Sequence, residues 1–171
     1  MIVKIDTKTE LVPIHMDYAK DIYEGFDKEV IQFLPIDEPP KKIAETMAFI
    51  EYSIEQVENK TDLVWVILNE GVFAGCCGIH GIPTKQPHFG LWIKRQQQGK
   101  GIGKKVVSHM LPWGISNLDV EFIKYPVDKR NQKSIHLISK LKLKLSDHYE
   151  MGNQKKLDVS EYRLYKVPPT H

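Results

Sequence analysis

Apolar positions in the first third of the chain recur at helical spacing, and those that follow recur at strand spacing. Ile43, Met47, Ile50, Ile54 and Val57 lie 4, 3, 4 and 3 residues apart, which predicts one amphipathic helix whose apolar stripe packs on a core. Ala19, Ile22, Tyr23 and Phe26 predict an earlier helix, with Asp17 placed to cap it. Pro35, Pro39 and Pro40 break the chain between the two. The period then shortens. Leu63 to Leu68 is a short apolar run rich in β-branched and aromatic residues, read as a buried strand. Asn69-Glu70-Gly71 has hairpin turn chemistry, and Val72 to Ile79 reads as the partner strand, with Gly75 and Gly78 marking bulges or close approaches. A third strand covers roughly Phe89 to Lys94. A helix opens near Gly101 with Ile102, Val106, Met110 and Trp113 on its apolar face, and Pro112 is expected to kink it or end it early. Phe122 to Val127 is a further strand, followed after Asn131 by a short helix carrying Ile135, Ile138 and Leu141. Alternation from Leu141 to Leu145, a Gly152-Asn153 turn and an apolar return from Leu157 to Val167 predict a closing hairpin. Two helices, a meander, a helix, a strand, a helix and a hairpin make an α/β (α+β) fold, a mixed sheet with helices packed on it.

At 171 residues the chain is expected to form a single domain spanning residues 1–171. Hydrophobic residues at 42% and charged residues at 27% are ordinary for a folded domain and argue against disorder. No apolar run approaches the ~20 residues of a membrane span, and the first residues lack the apolar core of a signal peptide. The two cysteines, Cys76 and Cys77, are adjacent and fit neither a disulfide framework nor a zinc spacing. A cytoplasmic, metal-free, membrane-free protein is the expectation. The net charge of +2 hides an asymmetry. Residues 10–70 hold 14 acids and 5 bases, whereas residues 71–118 hold no acid and six bases, Lys85, Lys94, Arg95, Lys100, Lys104 and Lys105. Uniform basicity would suggest a nucleic-acid partner, and none is expected here. A basic central segment beside an acidic N-terminal one suggests instead two faces or two ligands.

The basic segment contains the one stretch that points to chemistry. Leu91-Trp92-Ile93-Lys94-Arg95 leads into Gln98-Gly99-Lys100-Gly101-Ile102-Gly103-Lys104, a strand, a glycine-rich loop and a helix start. Glycines let backbone approach a ligand and let successive N–H groups converge. The helix start adds unpaired donors and a positive dipole end, so the product is a phosphate cradle. The mononucleotide loop is excluded, because Gly103-Lys104 is followed by Lys105 and Gln98 stands where its first glycine belongs. The dinucleotide fingerprint fails at Lys104, and the loop follows a meander rather than opening a βαβ unit. A purely structural glycine turn remains open at this point.

Gln98-Gly99-Lys100-Gly101-Ile102-Gly103 resembles the Gln/Arg-x-x-Gly-x-Gly/Ala motif of the GNAT acetyltransferases. Trp65-Val66-Ile67, Gly75-Cys76-Cys77-Gly78-Ile79-His80-Gly81 and Asn131-Gln132-Lys133-Ser134 are similar to further segments of that family, in the family's order, and the likeness covers nearly the whole chain. The combination resembles the branch of the ribosomal-protein N-terminal acetyltransferases (RimJ/RimL-like). The resemblance implies the GNAT fold, a central, mostly antiparallel twisted sheet flanked by helices. It implies acetyl-CoA as cosubstrate, direct acetyl transfer to a primary amine, and homodimers as a common state. Backbone N–H groups from Gln98 to Lys104 would hold the pyrophosphate. The Leu91, Trp92, Ile93, Lys94 and Arg95 strand would pair with the pantetheine, and Asn131 and Ser134 would meet its arm. Lys100, Lys104 and Lys105 would face phosphates, although each also reads as a solvated charge.

For catalysis the resemblance implies a base, an oxyanion donor on the Leu91–Ile93 strand and an acid for the thiolate. His88 stands where many relatives have Glu, so it is the candidate base, with a plain loop histidine as the alternative. His80 is a second candidate. Where other branches have an acidic Tyr, this chain has Ile138, which leaves Ser134 as the available hydroxyl, or as a helix cap. Lys140-Leu141-Lys142-Leu143 lacks the glycine that ends this helix in relatives. The acidic N-terminal segment points to a cationic acceptor, such as a protein N-terminus or a small amine. Two rivals stand beside the transferase: a catalytically silent acyl-CoA-binding regulatory module, and a protein that uses the loop for ATP or NAD.

Overall fold

The computed structural model describes residues 1–167 and contains eight strands in one sheet. In chain order the elements are β1 (Val3–Lys4), β2 (Thr9–Pro13), α1 (Ala19–Gly25), α2 (Ile43–Glu58), β3 (Asp62–Asn69), β4 (Val72–His80), β5 (His88–Ile93), α3 (Ile102–Asn117), β6 (Phe122–Asp128), α4 (Gln132–Ser139), β7 (Lys144–Met151) and β8 (Leu157–Tyr165). The sheet order is β1-β2-β3-β4-β5-β6-β8-β7, antiparallel except for β5 against β6.

The two N-terminal strands are absent from the periodicity reading. β1 is two residues long, and β2 alternates only weakly, so neither is strongly marked in one dimension. Both are defined by their partners: Leu11 pairs with Ile67, and the Trp65 indole donates to the Met1 carbonyl at 3.2 Å. The β3–β4 turn follows its residues, since Glu70 and Gly71 both have positive φ, 52° and 77°, the pair a tight hairpin requires.

The sheet is covered on both faces. Trp65, Ile67, Cys77, Ile79 and Phe89 pack with Ile102, Val106 and Met110 of α3 on one face. Val64, Val66, Phe73 and Cys76 pack with Ala19, Ile22 and Ile50 of α1 and α2 on the other. Strand alternation therefore sends the neighbouring cysteines into different cores, where both are free and buried. Desolvation pushes both thiols well above their usual range, so they act as small apolar side chains.

Four local expectations are corrected. α2 is rolled about its axis: Thr46, Ile50 and Ser53 face inward, while Ile43 and Met47 of the expected stripe are exposed, as are Phe49 and Tyr52. Small side chains at 46 and 53 let the helix sit close to its neighbours, and this outweighs the larger apolar surface at 43 and 47. Asp17 does not cap the first helix; the His15 ring Nδ1 accepts the Asp17 N–H at 3.1 Å in a 3-10 turn before α1. Pro112 neither ends nor shortens α3, which runs on to Asn117. β7 starts at Lys144, with the residues before it forming a turn. Among the described residues no helix is long and apolar enough to cross a membrane.

Candidate active site

β5 and β6 are joined at one register pair only, His88 with Lys124, and then diverge. Parity shows what this exposes. Lys94 donates its N–H to Ala74 of β4, so residues 88, 90, 92 and 94 turn their backbone toward β4. Pro87 offers its carbonyl to Lys124 of β6, so 87, 89, 91 and 93 turn the other way. Past the single pair, Leu91 and Ile93 therefore present backbone groups to the gap between the strands. The Gln98 side-chain amide caps one of them, donating to the Ile93 carbonyl at 2.8 Å. The Leu91 N–H and C=O and the Ile93 N–H remain as an open edge.

A cavity of about 610 Å³ fills the gap. Leu91, Trp92 and Ile93 form one wall; Tyr125 of β6, Asn131 just before α4 and Ser134 of α4 form the other. Gln98, Gly99, Gly101, Ile102, Gly103 and Lys104 close one end. Gly99 and Gly101 have φ of 79° and 75°, the left-handed conformation that glycine alone adopts without strain. The first bond of α3 joins the Lys105 N–H to the Gly101 carbonyl, at 3.2 Å. The N–H groups of Ile102, Gly103 and Lys104, ahead of it, have no partner within the helix. A Cβ at Gly99 or Gly101 would meet nothing within 4 Å, so open space lies beside the loop. Converging free donors, a positive helix end and open space fit a pyrophosphate.

Other proposed site residues lie differently. Lys94, Arg95 and Lys100 are not in the cavity wall. Lys94 lies over the Phe73 ring at 5.8 Å, and Lys100 donates to the Gln97 side chain at 3.3 Å. Lys105 pairs with Asp6 at 2.9 Å, which with two backbone N–H bonds holds that carboxyl down at about 2. Ser134 is not a cap: Asn131 caps α4, its Oδ1 accepting the Ser134 N–H at 3.3 Å. The helix end therefore makes no use of the Ser134 hydroxyl, and Ser134 lines the cavity.

Tyr125 was missed by the sequence reading. It stacks on Phe89 with ring centres 6.2 Å apart. Burial pushes its phenol up to about 12, and the Ser134 hydroxyl opposes the rise. Nothing within a few residues of Tyr125 signals a site; the link to Ser134 exists only through the packing of α4 on β6. Also missed was residues 27–34, which form the cavity's remaining wall with Glu29, Val30, Phe33 and Leu34.

His88 lies outside the cavity, on the sheet face that carries α1 and α2, alongside Gly90 and Trp92. Its ring packs on His80, 5.1 Å between centres, and His80 Nδ1 is 2.9 Å from the Asp62 carboxylate. Lys124 of the adjacent β6 and, one strand further, Glu161 of β8 act on it through their charges. Glu161 is buried, and both its oxygens are engaged, by Arg163 Nε at 2.7 Å and the Tyr149 hydroxyl at 3.1 Å. Desolvation, then the charges of His80 and Lys124, lower His88 to about 4. The unfolded chain therefore binds a proton at His88 that the folded one refuses between about 4 and the ordinary 6.5. Stability contributed at this position should be complete above about pH 6.5 and lost as pH falls toward 4. In urea titrations between pH 4 and 7, His88→Gln should flatten this slope; an unchanged slope would show that His88 titrates normally.

The comparisons agree with this geometry. The Acetyltransferase (GNAT) domain model matches residues 8–144. No curated protein matches in sequence. Among solved structures the fold is similar to RimL, the ribosomal L7/L12 alpha-N-protein acetyltransferase, in complex with coenzyme A, at 18% identity, 96% and 98% of the two chains and a TM-score of 0.86. It is similar to the microcin C7 self-immunity acetyltransferase MccE in complex with acetyl-CoA and AMP, at 22% identity, 95% of each chain and a TM-score of 0.82. The spermidine N-acetyltransferase from Vibrio cholerae in complex with CoA and spermine matches at 16% identity, 94% and 97% coverage and a TM-score of 0.79. A family model spanning most of the chain, laid over a sheet split beside a glycine loop, establishes that this chain belongs to the GNAT acetyltransferases.

Proposed function

We propose that the protein transfers an acetyl group from acetyl-CoA directly to a primary amine, and that the amine belongs to a cationic acceptor such as a protein N-terminus or a small polyamine. The observation that carries the reading is the divergence of β5 and β6 after His88 and Lys124, with a free backbone edge on one side and a phosphate-type loop at the end. Among the described residues no cluster of His, Cys, Asp and Glu offers a metal site, and the reading requires none.

When bound, acetyl-CoA supplies an activated thioester. The loop from Gln98 to Lys104 binds phosphate oxygens through its N–H groups, and the open edge at Leu91 and Ile93 aligns the pantetheine as an added strand would. The Leu91 N–H is placed to donate to the thioester oxygen as negative charge develops there. On the α4 wall, the Ser134 hydroxyl gives its proton to the departing sulfur. Tyr125, whose phenol stays protonated at pH 7, is the donor behind it. On the opposite sheet face His88 is uncharged at pH 7 and accepts a hydrogen bond from the ammonium, whose proton leaves to the water at its exposed edge. Acids along residues 10–70, which include α1 and α2, draw cations toward that face.

A thermal-shift series with acetyl-CoA, CoA, ATP and NAD tests the donor. Ligand at 100 times its dissociation constant adds about 2.7 kcal/mol, a rise of roughly 5–10 °C for a domain of this size. Acetyl-CoA and CoA should shift the transition, and ATP and NAD should not. No response to CoA would overturn the reading. A response to CoA without acetyl transfer to any of a panel of cationic and neutral amines would favour the silent acyl-CoA-binding module.

A further inference from the structure

Residues 27–34 cross one side of the cavity as a strap, fastened by Arg95 at the end of β5, by Arg130 beside α4 and by Lys155 in the β7–β8 turn. At its start, the Arg95 guanidinium forks onto two strap carboxylates: Nη2 to Asp27 Oδ2 at 3.0 Å and Nε to Glu29 Oε2 at 3.3 Å. Arg95 directly follows β5 and opens the glycine-rich loop, 68 residues from Asp27 in sequence. The other Asp27 oxygen accepts the Val30 N–H at 3.0 Å, which shapes the strap's 3-10 turn. Further along, Arg130 lies over the Phe33 ring at 5.8 Å, its own guanidinium fixed by two bonds to Asp128. Lys155, in the β7–β8 turn, donates to the Ile31 carbonyl at 2.6 Å. Val30, Phe33 and Leu34 thereby bring apolar side chains to the cavity wall, with Trp92 and Ile93 also in its lining.

We propose that Arg95 is a positioning residue which clasps this strap over the cavity and so keeps water away from the acetyl thioester until an amine arrives. The inference rests on the reading of the cavity as an acetyl-CoA site. The unwanted reaction is simple: a water oxygen forms a bond to the thioester carbon, the C–S bond breaks, and acetate and the CoA thiol leave, one water proton passing to sulfur. An apolar wall suppresses it by excluding the nucleophile. The Arg95 pairs are exposed enough to water that they add little to global stability. Their effect is local, on the amides of residues 30–34.

Arg95→Gln removes the clasp from one side. Asp27→Asn breaks the shorter arm of the fork from the other side while keeping an oxygen for the Val30 N–H, and leaves the Glu29 pair in place. Arg95→Lys keeps the charge but cannot fork onto two carboxylates. Without ligand, hydrogen exchange at residues 30–34 should accelerate about tenfold in the Gln variant and less in the Asn and Lys variants, with the melting temperature within about 2 °C of the parent. With acetyl-CoA and no amine, release of free thiol should rise in step with exchange, by about five- to tenfold in Arg95→Gln, and the double variant should be no leakier than Arg95→Gln alone. CoA affinity, read by calorimetry, should stay within about twofold. Unchanged exchange or unchanged hydrolysis overturns the proposal. So does Arg95→Gln weakening CoA binding where Asp27→Asn does not, because Arg95 would then be a phosphate ligand. If the parent protein binds no CoA, the functional reading has failed; faster exchange would then still show the clasp, but its role in guarding a thioester would be overturned.

Discussion

Gly75→Ala should destabilise the protein by about 3–4 kcal/mol, toward the upper end for overpacking, since a Cβ there would lie 2.0 Å from the Trp92 carbonyl oxygen and 3.0 Å from the Ile93 Cα. Both obstacles are backbone, so no side chain can turn aside. The strands must part at the point where β4 holds β5, next to the bulge that shifts the β3–β4 register between Ile67 and Leu68. The same movement would displace Trp92 and Ile93, which form the cavity wall. A fall in melting temperature of roughly 6–15 °C is expected, with loss of CoA binding even below the transition. Gly71→Ala is the control. Its φ of 77° carries the left-handed cost of about 1–2 kcal/mol, but its Cβ would meet nothing within 4 Å. Equal melting of the two variants would show that close approach of β4 and β5 does not matter.

Ser134→Ala should lower kcat by about 10²-fold, the low end for losing a positioned acid, with little change in CoA affinity or stability. The stability expectation follows from the capping geometry: Asn131, not Ser134, supplies the side-chain cap of α4, so the alanine removes no helix bond. Tyr125→Phe should produce a smaller loss of kcat, because it removes the donor behind Ser134 rather than the group facing sulfur. Burst and steady-state measurements of thiol release separate chemistry from product release. Retention of kcat within about twofold in Ser134→Ala would mean that the thiolate takes its proton from water.

The two experiments differ in how far each could be anticipated. Gly75 was legible as a bulge or close approach, because a glycine inside a strand pattern carries that meaning, but the identity of the atom it avoids was not. Ser134 was legible only through the resemblance of Asn131-Gln132-Lys133-Ser134 to a family segment, and its two readings, acid or cap, were separated only by the structure. α2 shows the reverse failure. Its helical period was unmistakable, yet the period specifies a stripe and not how the helix rolls against its neighbours. Thr46 and Ser53 point inward because their size suits the gap, and no pattern of apolar residues encodes a gap. β1 and β2 were invisible because short strands have almost no period of their own.

By itself the sequence determined what is settled within a few residues. It determined the order of the later strands and helices, through their periods. It determined the hairpin turn that Gly71 closes and the glycine loop from Gln98 to Lys104, because Gly71, Gly99 and Gly101 supply left-handed φ values there without strain. It also determined the separation of acidic and basic segments. Tertiary structure decided everything that joins residues far apart in the chain. It split β5 from β6 and so freed the Leu91 edge. It set Tyr125 beside Ser134, stacked His88 on His80, and brought Arg95 to Asp27 across the cavity. The physical reason is one of range. Dihedral preference and periodicity act along the chain over one or two turns, whereas strand register, helix roll and ion pairing are fixed by packing between surfaces that meet only when the whole sheet has formed.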